Sequence, residues 1–303
     1  MAVGRGAIKA AAPFAALLLL GVGFGGAFTL AKIATTAGAS PLGLAFWGGL
    51  GAGLVVLAAM IAGRKPLPLD YHRFRFYLIS GLFGVAVPEV VIYTCARMLP
   101  VGVLTLVVTM APVVTYALAL PGAVERLAGG RILGLVFSGL AVLLLVLPET
   151  SLPAPGLRLW VLIACVGPVG YAMQNVMVAR WGPAVGDSLA LSCGSLIAGG
   201  LLLLPFVIAG NAWVSLLPPW GPIEWAAIGI ILVNAAGTVL FFALVRRTGP
   251  LFASQASYVM TVAGFLWGFA LFGERPSIWI WAALVLMLIG ISLVGRRGKV
   301  LPV

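Results

Sequence analysis

Ten separate stretches of this chain are long and apolar enough to cross the ~30 Å hydrocarbon core of a bilayer at ~1.5 Å per residue of helix. They run Ala10–Ala31, Pro41–Gly63, Phe76–Ala96, Val101–Pro121, Ile132–Leu147, Leu159–Ala179, Ser188–Ala209, Ile223–Val245, Leu251–Phe272 and Ser277–Val294. In hydrocarbon only helices and closed barrels satisfy their own backbone, and stretches of this length and apolarity point to helices. The expected fold is therefore an all-α polytopic membrane protein of ten transmembrane helices. Composition agrees, with 62% hydrophobic residues, 8% charged and a mean hydropathy of +1.18. That excludes a soluble globular enzyme, since soluble chains carry about 25% charged residues.

The net charge of +11 does not point to nucleic acid. Its basic residues sit at the ends of apolar stretches, with no basic stripe for a strand to track, and anionic lipid is the partner they fit. With the N-terminus in the cytoplasm, Arg5, Lys9, Arg64, Lys65, Arg73, Arg75, Arg126, Arg131, Arg180, Arg246, Arg247, Arg296, Arg297 and Lys299 fall inside, leaving Lys32, Arg97, Arg158 and Arg275 outside. This 14-to-4 split is the asymmetry of the positive-inside rule. Nine or eleven spans would break it in one half. Both termini are thus expected in the cytoplasm, and the first stretch reads as a retained span, not a cleaved signal.

The chain also repeats itself. Val22-Gly23-x-x-Gly26 recurs 144 residues on as Val166-Gly167-x-x-Gly170; Pro100 and Met110 recur at an offset of 150 as Pro250 and Met260; Glu125-Arg126 matches Glu274-Arg275. The expected halves are residues 1–153 and 154–303, five spans each. Because five is odd, the second copy runs through the bilayer in the opposite sense. Inverted repeats of this kind let one central site open first to one side and then to the other.

The layout resembles the drug/metabolite transporter superfamily, and in particular its EamA-like exporters of two five-helix repeats. The residues that carry the likeness are Pro112 followed by Glu125-Arg126, and Pro250-Leu251-x-Ala253-Ser254-x-x-Ser257-Tyr258 followed by Gly273-Glu274-Arg275-Pro276 and Gly290. Within the superfamily the chain is most similar to the YddG-type exporters of amino acids and related metabolites. The resemblance implies small-molecule export across a plasma or bacterial inner membrane, without a cofactor. It departs in the second span, where a family arginine has no counterpart around Trp47.

Polar side chains inside the spans are the candidates for a substrate site, because burying a charge in lipid costs at least ~2.5–3.5 kcal/mol. Glu89 stands mid-span after Pro88, with Tyr93 four residues on and on the same face. Two roles are open to it: holding an ammonium or a proton, or bonding the backbone groups that a Pro88 kink releases. In the ninth span Ser254, Ser257, Tyr258 and Thr261 form a hydroxyl stripe with Gln255 beside it, and Thr105, Thr109, Pro112 and Tyr116 form its counterpart in the fourth. Tyr171, Gln174 and Asn175 share a face of the sixth span, as Asn234, Thr238 and Phe241 do in the eighth. Each group could line a cavity or bond helix to helix. Phe24, Tyr93, Tyr171, Tyr258 and Trp267 are the aromatics for an amphipathic cargo.

The remaining features read as structure. Ala45, Gly49 and Gly53 make a small-residue ladder for helix packing, Lys32 snorkels to the headgroups, and His72 is interfacial. Cys95, Cys165 and Cys193 form no CxxC pair and no metal set. A hydrolase would need a Ser/His pair, paired aspartates or a His cluster within the spans, and none is present. What remains is a secondary transporter of small metabolites, amino acids foremost, with proton-coupled drug efflux and a channel-like protein as the alternatives. The topology itself is open to test: reporters fused after Val303 and within Arg64–Arg75 will score as cytoplasmic, and one within Gly210–Pro222 as external.

Overall fold

The computed structural model describes residues 2–120, 129–148, 150–154, 156–181, 187–248 and 256–295. Ser254, Gln255, Glu125 and Arg126 lie outside them. Among the described residues every regular element is helical; eight helices are long and apolar enough to cross a membrane, and two shorter apolar helices stand at the places of the ninth and tenth stretches. In chain order they are α1 (Ala2–Thr36), α2 (Pro41–Ala62), α3 (Tyr71–Ala96), α4 (Val101–Ala119), α5 (Gly129–Val146), α6 (Leu157–Ala164 and Val166–Trp181), α7 (Ser188–Ala209), α8 (Pro222–Thr248) and the two shorter ones, α9 (Ala256–Phe272) and α10 (Ile278–Gly295). Helix α1 starts earlier than its apolar stretch and α3 starts five residues earlier, at Tyr71, because helical geometry continues into the interface beyond the apolar residues.

Local chemistry sets the ends. Ser40 caps α2, accepting from the Gly43 N–H, and Pro41 follows at the first helical position, where a missing N–H costs nothing. Asp70 caps α3: it accepts from the Arg73 N–H at 3.1 Å and from the Arg73 guanidinium at 2.6 Å, which together hold its carboxyl below the usual carboxylate range. Among the described residues three helices are interrupted inside the membrane. Leu82–Ala86 of α3 is a π-helical turn just before Pro88; α4 breaks at Thr109-Met110 ahead of Pro112; α6 breaks at Cys165 ahead of Pro168.

Several of the main helix contacts recur when each helix is exchanged for its mate five places on. Helix α1 packs on α8 and α9, and α6 packs on α3 and α4; α2 packs on α8, and α7 on α3; α2 with α7, α4 with α9 and α5 with α10 pair across the relation. Of the eight longer spans, α4 and α7 are the most buried and α5 the least. Leucine, valine and phenylalanine side chains such as Leu54, Leu140, Phe206 and Phe269 face outward, as lipid-facing positions require.

Close helix contact is made through small residues. Gly49 lies against the Gly200 backbone and Gly53 against Ile197, so the ladder expected in α2 packs on α7. Gly134 meets the Gly290 carbonyl, joining α5 to α10 in the same way. Position 200 has no room for a Cβ, since the Leu50 backbone occupies that space. Gly200→Leu will therefore lower stability by about 1–3 kcal/mol, seen as a lower midpoint in thermal unfolding of the detergent-solubilised protein.

Candidate functional site

Proline at position 88 and the π-turn before it set the phase of the second half of α3, and Glu89 follows directly, pointing into the centre of the bundle. Its side chain is enclosed, with Glu89 8% exposed and Asn234, opposite it on α8, 6% exposed. The Asn234 amide nitrogen donates to Glu89 Oε1 at 2.8 Å and to the Gly48 carbonyl of α2 at 3.2 Å. Tyr93, fully buried one turn along α3, brings its hydroxyl close to both side chains, and Tyr171 of α6 stands near the same carboxylate. Four helices therefore meet at one carboxylate. The other oxygen, Oε2, is buried and makes no hydrogen bond of normal geometry, and the space at Gly48 is what leaves it room.

This group unites four of the residues singled out from the sequence, Glu89, Tyr93, Tyr171 and Asn234. Gly48 escaped notice because a Gly48-Gly49 pair in an apolar helix reads as packing. Thr238 is half-buried one turn from Asn234.

The remaining candidates bond between helices. Gln174 donates to the Ser80 hydroxyl at 2.9 Å, and Ser195 bonds the same hydroxyl at 2.9 Å, so α6, α3 and α7 are linked. Asn175 donates to Thr115 of α4 at 3.2 Å. The Thr109 and Thr261 hydroxyls pair across α4 and α9, one donating to the other, which in turn donates to the carbonyl one turn back in its own helix, that of Thr105 or Ser257. Tyr258 turns instead toward Ser292 of α10, at 3.2 Å and an exposed position. Ser257 is half-buried and contributes its carbonyl to Thr261. Among the aromatics, Phe24 packs at Gly237 and Trp267 lies on the outer surface of the bundle.

Lysine 32 corrects an expectation. In place of snorkelling to the headgroups it pairs with Glu274 at 2.5 Å, both side chains about 15% exposed, and donates to the Leu99 carbonyl at 3.0 Å. A carboxylate within reach satisfies the ammonium better than a detour to the interface. A cavity of about 310 Å³ adjoins this pair, between Val103, Ser151, Phe265 and Glu274, away from Glu89. The cysteines are free, and no group of three metal-ligating side chains occurs among the described residues.

The chain matches the model of the EamA-like transporter family twice, over residues 13–147 and 158–296. It is 24% identical over 274 residues to Protein PecM of Dickeya dadantii (strain 3937), covering 86% of this chain and 87% of PecM. One crystal structure shares the fold with a TM-score of 0.62 and 20% identity, covering 92% of this chain and 96% of its own.

Asn234→Leu removes the amide hydrogen bonds to Glu89 Oε1 and to the Gly48 carbonyl, both buried. It will destabilise the protein by about 1–3 kcal/mol, whereas Glu89→Gln, which keeps an acceptor for Asn234, will unfold close to the wild type in the same thermal scan.

Proposed function

Because the chain belongs to the EamA-like transporter family and is a multi-pass integral membrane protein with a bacterial relative, we propose that it exports small amphipathic metabolites, amino acids foremost, across the inner membrane. Transport proceeds by alternating access between halves 1–153 and 154–303, about a site centred on Glu89 and Asn234. The family's activity is transport of small molecules, with no covalent step for the protein to catalyse.

One observation carries the substrate reading: Glu89 Oε2, enclosed in the bundle, makes no hydrogen bond of normal geometry even with the Tyr93 hydroxyl close to the carboxylate. A carboxylate oxygen is an acceptor only, and an orphaned buried acceptor is costly. The α-ammonium of an amino acid supplies the missing N–H and the opposite charge together. Tyr93 and Tyr171 offer rings and hydroxyls on the same side, and Thr238 and the Thr109–Thr261 pair supply further hydroxyls. Gln174, Asn175, Ser257 and Tyr258 serve in this reading to hold the helices that carry the site, and Ser254 belongs to it by its place in the sequence stripe.

Counterflow in liposomes loaded with unlabelled amino acids tests the proposal. Labelled threonine, methionine or tryptophan will accumulate with saturation and trans-stimulation, which an open pore does not give. Glu89→Gln will abolish the exchange of at least one of them. Gly48→Ala, whose methyl would stand 2.7 Å from Oε2, will reduce it at least about tenfold by filling the ammonium's place, roughly 1.4 kcal/mol of lost transition-state stabilisation. If a cationic dye exchanges and no amino acid does, drug efflux replaces this reading.

A further inference from the structure

The two ends of the bundle are packed differently. Every residue of Val101–Val108 in α4 is buried, whereas in Ala111–Ala119 only Val113, Tyr116 and Ala119 are. On α3, Ile92, Cys95 and Ala96, and Leu99 just beyond its end, which lead from Glu89 to the end near Lys32, have no exposed surface. In the opposite direction nearly all of residues 171–178 of α6, 237–241 of α8 and 257–259 of α9 are half-exposed. By the Lys/Arg distribution the sealed end is the outer one. The structure is closed outward and looser inward.

At the sealed end three chain segments distant in sequence meet on one carboxylate. Helix α9 ends at Gly273, whose φ of +63° is open to glycine and strained for other residues; the Gly273 N–H returns to the Phe269 carbonyl, and the chain turns to present Glu274. Both Glu274 oxygens accept from the Val101 N–H, at 3.1 and 2.9 Å, which is the first helical N–H of α4 and, standing in the first turn, has no acceptor within its own helix. Lys32, at the end of α1, adds its ammonium to Oε1, bonds the Leu99 carbonyl and lies over the Phe272 ring at 4.9 Å. One side chain from the second half thus fastens the end of α1 and the start of α4, both from the first half.

We infer that Lys32, Glu274 and the N-terminus of α4 form the outer gate of the transporter, an ionic latch that holds the Glu89 site shut from outside in this conformation and parts when the site opens outward. The latch rests on the alternating-access reading above. Opening separates the α9–α10 turn from α1 and α4 and lets the cavity beside Glu274 run through the seam toward Glu89. Lys32 and Glu274 act on access and touch no substrate in the closed state.

The test is cysteine accessibility. One reporter keeps Cys95 as the sole cysteine, with Cys165→Ala and Cys193→Ala; the other carries Ala111→Cys with all three native cysteines replaced by Ala. A membrane-impermeant maleimide is applied from outside on spheroplasts and from inside on inverted vesicles. Glu274→Gln will raise Cys95 labelling from outside roughly fivefold or more, the low end of typical coupling between sites, and will lower labelling of the Ala111→Cys reporter from inside. Lys32→Gln, which leaves Glu274 on Val101, will do the same to a smaller extent and carries the test if Glu274→Gln fails to accumulate. Unchanged labelling at both reporters overturns the latch. So does a rise at Cys95 with no fall at position 111, since that is loosening and not a switch. In the two reporters with Lys32 and Glu274 intact, saturating threonine, methionine or tryptophan must itself redistribute labelling between the two faces; if it does so while the Lys32 and Glu274 variants do not, the latch alone fails and alternating access stands.

Discussion

In hydrocarbon no water completes an unsatisfied polar group, so every N–H, carbonyl and charge in this bundle depends on a partner inside the protein. That constraint organises what is seen. Threonines 29, 35, 94, 105 and 115 bond back to carbonyls of their own helices. The amides of Gln174, Asn175 and Asn234 cross to neighbouring helices, and the lysine at the end of α1 finds a glutamate from the other half of the chain. Among the described residues four buried side-chain atoms stand apart from this rule, on Tyr77, Ser138, Arg158 and Glu89, and of these only Glu89 Oε2 is a carboxylate oxygen at the centre of a polar group; the functional reading starts from it.

The same constraint explains why the fold was largely legible from the sequence and the site only partly. Ten helices, their approximate ends and the twofold repeat follow from apolar length and self-similarity, which depend on the bilayer more than on tertiary detail. Glu89 and Asn234 stand out because groups like them are rare in lipid-facing or packed positions, and Tyr93 lies on the Glu89 face because the helix after Pro88 is regular. Spacing gives the face of a helix but not the neighbour it meets. The stripe in α9 shows this: Thr261 meets α4 while Tyr258, three residues earlier and some 60° around by the 100° per residue of a helix, meets α10.

Other features were hidden for separate reasons. Gly48 carries no side chain to announce a role, and its importance lies in what the absence of a Cβ leaves free. The Lys32–Glu274 pair spans 242 residues, and a lysine at the end of an apolar stretch has a ready explanation in snorkelling until its partner is seen. The Gly273-Glu274 dipeptide, which carries part of the resemblance to the EamA-like family, acquires a physical meaning in the structure. The glycine permits the turn, and the glutamate supplies a negative charge to a helix N-terminus in the other half.

The π-helical turn at Leu82–Ala86 has a bearing on how this chain tolerates change. A π-turn is in effect one residue more than an α-helix needs over the same length, and one residue is about 100° of helical rotation. Everything in α3 beyond it, Glu89 and Tyr93 included, is therefore set in a phase that a regular helix starting at Tyr71 would not give. Point substitutions in this segment leave the phase intact. Loss of a single residue there would let α3 relax to a continuous α-helix and carry the carboxylate a quarter-turn away from Asn234, so the spacing between Ser80 and Glu89 is inherited as a length, whatever side chains fill it.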